Sequence, residues 1–191
     1  RVELGARGAG QRGDAALDGG VDVLVGGLEG EGPVAELVLH PVEGGEHHLA
    51  DFHQLNPQER VPVLIDGGRV IRQSLAIIEY LEEVYDGNHL LPGTARERAR
   101  ARGLAHLIAT DISPLGNLSV LQYLEHEDNM PQIERERWIR HWITRGFAAF
   151  EEMLADNPST GDFCEGDVPS IADCCLVPQV YNARRFEVDL T

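Results

Sequence analysis

From Phe52 onward the apolar and polar positions of this chain fall into short periodic runs. Residues 60–65 form an apolar run closed by Asp66-Gly67-Gly68, and a second short run comes at 69–71. Two such runs about a Gly-containing turn predict a β-hairpin. Ser74 comes next, and Leu75, Ile78, Leu81 and Tyr85 then recur at helical spacing. Ser74 reads as the helix N-cap and Gly87 as its stop. Residues 61–86 therefore read strand, turn, strand, helix.

Residues 88–93 are a linker containing Pro92, and helical patterning fills most of the remaining chain. Thr94 and Glu97 have the spacing of a capping box. Leu104, Leu107, Ile108, Ile112, Leu115, Leu118 and Leu121 form one apolar stripe behind it. Pro114 interrupts that stripe, so a kink or break is expected there. Pro131 opens a further helix with Ile139, Trp142, Ile143, Phe147, Phe150 and Leu154 facing inward. A loop is expected at 157–166. Ser170 and Asp173 form a second capping box, which is a folding signal and carries no chemistry.

The start of the chain has a different texture. Residues 1–45 hold 12 of the 21 glycines and contain no aromatic residue and no Ser, Thr or Cys. Short apolar runs at 21–25 and 34–39 read as strands, but glycine breaks anything longer. The reading drawn from this texture is the hypothesis that part of the segment is a mistranslated or wrong-frame stretch of a GC-rich gene, and the absence of Lys fits such a gene. Resequencing the DNA across codons 1–45 tests the idea; a clean reading frame removes it. A small βα piece followed by a helical piece predicts two domains, 1–87 and 93–191.

Charge and cysteine usage narrow the function classes. The net charge is −16, with 16 Arg against 32 acidic residues. A field of that sign repels phosphate backbones and anionic lipid, so no nucleic acid or membrane partner is expected. No stretch approaches the length of a membrane span, and the first residues lack the apolar run of a secretory signal. Cys164, Cys174 and Cys175 are odd in number and two are adjacent, which argues for reduced thiols in a cytoplasmic setting. His40, His47, His48 and His53 show no metal-ligand pattern, and no metal is expected.

Three features bear on binding. About 5% of X–Pro bonds are cis, so Val61-Pro62 read alone favours a plain trans bond. A cis bond there turns the Val61 backbone outward, where a peptide-like ligand can pair with it. Gln73-Ser74 read alone is an ordinary helix start, yet the same geometry offers free N–H groups and a positive dipole end to a carboxylate. Asp111 in the apolar stripe marks either a polar helix edge or a cleft, with Asn117 and Ser119 further along.

Taken together, the motifs resemble one family over roughly residues 44–191. Gly44-Gly45-Glu46-His47, Asp51-Phe52, Leu55-Asn56-Pro57 and Val61-Pro62 succeed one another as in zeta-class glutathione transferases, the maleylacetoacetate isomerase family. The run from Gln73 to Glu83 is similar to that family's glutathione-carboxylate motif and the helix after it. Leu90-Leu91-Pro92, Pro114-Leu115, Asn117 to Leu121, Gly166-Asp167, Ala172-Asp173 and Leu176 to Ala183 extend the likeness. The resemblance implies an α/β plus all-α fold, with a thioredoxin-like N-terminal domain followed by a helical C-terminal domain. It implies a homodimer, glutathione as cofactor, and isomerisation of 4-maleylacetoacetate to 4-fumarylacetoacetate in tyrosine and phenylalanine breakdown. It further implies that Val61 and cis-Pro62 pair with the glutathione backbone, that Gln73 and Ser74 hold its γ-glutamyl carboxylate, and that Asn117, Leu118 and Ser119 lie by the cleft. His47 and Ser113 stand where the family has other polar residues and are weaker carry-overs.

The sequence departs from the family at its start. A Ser-Ser-Cys-type turn is expected after the first strand, and family spacing places it near residues 16–21. Those residues carry no hydroxyl or thiol, and Asp18 opposes a thiolate. The chain also stops short of the family's usual C-terminal extension. No catalytic residue is assigned, and weak turnover is expected. The rival readings are a maleylpyruvate isomerase or general glutathione transferase, a non-catalytic interaction module on the same scaffold, and a poorly folding pseudo-product.

Overall fold

In a computed structural model of the chain, the described residues are 36–38, 50–87, 89–155 and 157–190. The chain separates into two compact units, Arg1–Tyr85 and Asp86–Thr191.

In the first unit, β1 (Glu36–Val38) lies within the apolar run at 34–39 and pairs antiparallel with β2 (Val63–Asp66). β2 pairs antiparallel with β3 (Arg69–Arg72), giving the sheet order β1-β2-β3. Gly67 and Gly68 have φ of 53° and 77°. A two-residue hairpin turn that matches strand twist needs positive φ, which glycine adopts without a Cβ penalty. β2 starts two residues later than the residue 61 expected: Val61 and Pro62 precede the ladder, where a proline cannot donate. A short helix that the sequence pattern does not announce, α1 (Ala50–Leu55), comes before them. α2 (Ser74–Val84) succeeds the hairpin. Its fully buried residue is Ile77, whereas Leu75, Ile78 and Leu81 of the expected stripe are half-buried. Phe52, Val63, Leu64 and Ile77 are the buried apolar side chains described in this unit. Each contributes roughly 1.5–3 kcal/mol through its removal from water.

The second unit is helical. The Thr94–Glu97 capping box opens α3 (Ala95–His106), and both of its hydrogen bonds are present. A single π-helical turn (Leu107–Ile112) and a 3₁₀ turn (Ser113–Gly116) lead into α4 (Leu118–His126). The break expected at Pro114 thus begins earlier, at Leu107. The wide and tight turns rotate the chain out of α register, so the expected stripe fails at its far end: Leu118 is 46% exposed. α5 (Gln132–Ala155) comes after Pro131, and α6 (Ile171–Arg185) is opened by the complete Ser170–Asp173 box. Leu104, Ile108, Ile112, Ile139, Ile143, Phe150, Cys164, Ala172, Ala183 and Val188 form one buried cluster. α5 comes so close to the π turn that a Cβ on Gly146 would stand 2.3 Å from Ile112 Cγ1.

The loop at 157–166 is clamped by one guanidinium. Arg100 donates to the Cys164 carbonyl at 2.7 Å, to Thr160 Oγ1 at 2.7 Å, to the Met153 carbonyl at 3.2 Å and to the buried Glu165 carboxylate. A fork of fixed donors suits such a set of converging oxygens better than an ammonium does.

Candidate functional site

The register of the hairpin brings the first two expected site elements together. Val63 pairs with Arg72 at the end of the ladder, so Pro62 and Gln73 are the next residues beyond it on neighbouring strands. The Val61–Pro62 peptide is cis, whereas the dipeptide read alone favours trans.

Local hydrogen bonds hold the backbone at this end. Asn56 is 2% exposed. Its Nδ2 donates to the Arg60 carbonyl at 2.6 Å, and its Oδ1 accepts from the Gln58 N–H at 3.1 Å. One buried amide therefore closes the loop at 57–60 that leads into Val61. Glu59 sits in that loop with φ of 54° and pairs with His53 Nδ1 at 2.8 Å. Arg72 Nε donates to the Leu55 carbonyl at 2.7 Å, tying the end of α1 to the end of β3.

The start of α2 differs from expectation by one residue. Gln73, with φ of 75°, is the cap, and Ser74 is the first helical residue. The Ser74 side chain therefore does not cap the helix. Gln73 instead sends its Nε2 to Gln58 Oε1 at 2.7 Å, which ties this helix start to the Asn56 loop. The Ile77 N–H bonds back to the Gln73 carbonyl at 2.9 Å. The N–H groups of Ser74, Leu75 and Ala76 have no acceptor among the described residues, and the first turn carries no acidic side chain. Three donors without an acceptor among the described residues, at the positive end of an 11-residue helix, are an arrangement that suits a carboxylate.

At the far end of the hairpin, Asp66 is buried and accepts from Tyr80 Oη at 2.7 Å and Tyr85 Oη at 3.0 Å. The hydrogen bond to Asp66 raises the Tyr80 phenol; burial, then the same carboxylate, raises that of Tyr85. Both stay protonated as donors and brace β2 against α2.

In the helical unit, Ser113 is half-buried and donates through Oγ to Gln179 Oε1 at 2.9 Å. Asn117 is exposed and precedes α4 without capping it through its side chain. Leu118 and Ser119 are also exposed. Asp111 is exposed and accepts from Thr110 Oγ1 at 3.2 Å, which makes it a polar helix edge. His47 and the positions near 16–21 lie outside the described residues, as do His40 and His48. The three cysteines are free. Burial, then the hydrogen bond to Asp173, pushes the Cys164 thiol up to about 12, and burial pushes Cys175 up to about 11. Neither supplies a thiolate at neutral pH.

Sequence reasoning missed Asn56 as the pivot of the loop, Gln58 as its link to α2, and Gln179 as the partner of Ser113. An Asn-Pro pair at a helix end is a turn signal that points to the first. Gln179 has none, being one polar residue in a mostly apolar helical run.

Comparison with known proteins bears on the family and the fold. The family described as glutathione S-transferase, N-terminal domain, matches residues 33–89. A probable maleylacetoacetate isomerase of Vibrio cholerae serotype O1 is 50% identical over 149 residues, 78% of this chain and 68% of that protein. The holo structure of a maleylpyruvate isomerase, described as a bacterial glutathione S-transferase in the zeta class, is 45% identical with a TM-score of 0.76; the match covers 79% of this chain and 71% of that one. A maleylacetoacetate isomerase of Methylobacterium extorquens AM1, solved with bound malonate and glutathione, is 38% identical with a TM-score of 0.76, over 80% of this chain and 72% of that one.

Proposed function

The chain belongs to the zeta class of glutathione transferases, and from that premise we propose that it catalyses the glutathione-dependent cis–trans isomerisation of 4-maleylacetoacetate to 4-fumarylacetoacetate, a step of tyrosine and phenylalanine breakdown. The observation that carries the reading is the start of α2, unsatisfied among the described residues, beside the Val61–Pro62 segment where the β2–β3 ladder ends. We assign glutathione binding to a thioredoxin-like domain ending near residue 87, followed from about residue 93 by the all-helical domain, and we take the working form as a cytoplasmic homodimer.

The residues present fit glutathione. The free N–H groups of Ser74, Leu75 and Ala76 receive its γ-glutamyl carboxylate, with the exposed Ser74 hydroxyl beside them. The Val61 backbone pairs with its peptide groups as an added strand does. In the helical unit, Ser113, Asn117, Leu118 and Ser119 are assigned to ligand binding by the same family correspondence, as is His47 in the first domain. The chemistry that bound glutathione supplies is reversible thiolate addition across the conjugated cis double bond, which leaves a single bond free to rotate before elimination. This chain's own contribution is to bind and orient. No described residue is assigned to lowering the thiol pKa, and the positions near 16–21 hold no hydroxyl or thiol. Turnover is therefore expected to be weak.

The test is isomerase turnover with glutathione for the unmodified chain and for the triple variant Ala16→Ser, Leu17→Ser, Asp18→Cys. Glutathione binding with slow turnover that the variant raises is the expected result. Failure to bind glutathione overturns the reading, and full turnover by the unmodified chain overturns the weak-turnover claim. The likeness to a solved maleylpyruvate isomerase favours maleylpyruvate as the second candidate substrate, so both acceptors belong in the assay.

A further inference from the structure

α5 gathers positive charge in a chain with twice as many acidic residues as arginines. No acidic residue stands between Glu136 and Glu151, whereas Arg137, Arg140, His141 and Arg145 all do. At about 100° and 1.5 Å per residue, these four and Thr144 fall within an arc of about 140° along about 12 Å of helix. They line an open recess of about 450 Å³. Arg137, His141 and Arg145 succeed one another at intervals of four, where like charges repel and weaken a helix.

Internal carboxylates answer this charge only in part. Arg137 meets Glu134 at 2.6 Å, but the two side chains are 78% and 41% exposed, so solvent screens the pair. Arg140 reaches Glu136 only at 3.7 Å, and its Nη1 donates to the Phe186 carbonyl at 3.4 Å. Arg145 has no carboxylate three or four positions away in sequence. Its guanidinium lies 6.0 Å from the centre of the Trp142 ring instead. The His141 ring stands edge-on to the same indole at 5.0 Å. Trp142 thus braces two of the four basic groups.

We propose that this face of α5 binds a small oxyanion carrying at least two negative groups, phosphoryl or carboxylate, through residues that the glutathione reading does not use. A guanidinium fork donates two parallel bonds to either kind of group. Steps of about 6 Å between successive basic positions suit one anion that bridges two of them. The net charge of the chain works against a large polyanion, whereas a recess of this volume suits a small one.

Isothermal titration of the whole chain with tripolyphosphate and with citrate, at low and at physiological ionic strength, tests the proposal. One anion per chain, bound more weakly as salt rises, is the expected result. Arg137→Ala and Arg145→Ala should each weaken binding about 2- to 5-fold, the range of an exposed charge pair, and the double variant should lose more than either. Arg96→Ala, an exposed position on α3, should leave binding within about twofold of wild type. All are surface changes, so thermal midpoints should stay near that of the wild type. Preference for tripolyphosphate assigns the phosphoryl class, preference for citrate the carboxylate class, and equal binding supports the chemistry they share. Failure of both anions to bind, a double variant that binds as the wild type does, or an Arg96→Ala loss equal to that of Arg145→Ala overturns the proposal. Polyglutamate that binds through Arg137 and Arg145 when both small anions fail also overturns it, in favour of a docking surface for an acidic protein.

Discussion

Replacing Asn56 by alanine probes whether one buried amide shapes the end of the hairpin proposed to bind glutathione. The substitution removes the bond to the Arg60 carbonyl at 2.6 Å and the bond from the Gln58 N–H at 3.1 Å, from a side chain that is 2% exposed. At about 1 kcal/mol net for each bond, the loss is about 2 kcal/mol. For a chain of this size that lowers the thermal midpoint by roughly 4–8 °C. Asn56→Asp sharpens the argument. It keeps an acceptor for the Gln58 N–H but sets a carboxylate oxygen against the Arg60 carbonyl. At neutral pH it should therefore be less stable than Asn56→Ala. Burial raises the new carboxyl group above its unfolded value, so the penalty grows as pH rises through the carboxylate range and eases when acid restores a donor. Urea unfolding monitored by circular dichroism gives both numbers, and glutathione titration reports on the loop at 57–60. An alanine variant within about 0.5 kcal/mol of wild type, or an aspartate variant more stable than alanine at neutral pH, refutes the reasoning.

Arg100→Ala strips the clamp from the 157–166 loop and leaves Glu165 buried without its partner, so it should cost about 3–5 kcal/mol in urea unfolding; the double variant with Glu165→Ala should recover part of that loss. Burial opposes the Asp173 carboxylate, but bonds from the Cys164 N–H and thiol and from Ser170 outweigh it and leave the group below its ordinary value. Its stability contribution is thus present above the unfolded carboxylate range and is lost as pH falls through the folded value. The pH dependence of unfolding below neutrality should accordingly be flatter in Asp173→Asn than in wild type. Cys174 is the exposed thiol of the three, so a maleimide should label it first and Cys164 last by peptide mass mapping; early labelling of Cys164 would contradict its burial.

Much of the architecture is legible because its signals are local. The Gly67-Gly68 turn and the Thr94–Glu97 and Ser170–Asp173 boxes each state a backbone conformation within four residues, and each sits where the pattern puts it. The likeness over residues 44–191 is legible for another reason: individually weak motifs in a fixed order carry joint specificity. The illegible parts depend on partners distant in sequence or on backbone choices without a side-chain signature. The bond between Ser113 and Gln179 spans 66 positions. The start of α2 differs by one residue because Gln73 adopts a positive φ, which no side chain advertises. Leu118 belongs to a buried stripe only if α geometry is uniform, and the turns at 107–116 break that premise.

Those turns also set how this protein can vary in length. The Ser113 N–H reaches back five residues to the Ile108 carbonyl, so the segment holds one residue more than an α-helical turn would need. Deleting one position between 107 and 112 would let the wide turn close into α register and leave the residues beyond it nearly in place, because the extra residue is what the wide turn absorbs. Deleting two would instead shift the helix beyond by about 1.5 Å and swing it by about 100°, carrying Ser113 away from Gln179 and Asn117 to Ser119 with it. Side chains at the exposed positions of this stretch are free to drift, but its length is free by one residue only. It acts as a spacer with a single residue in reserve.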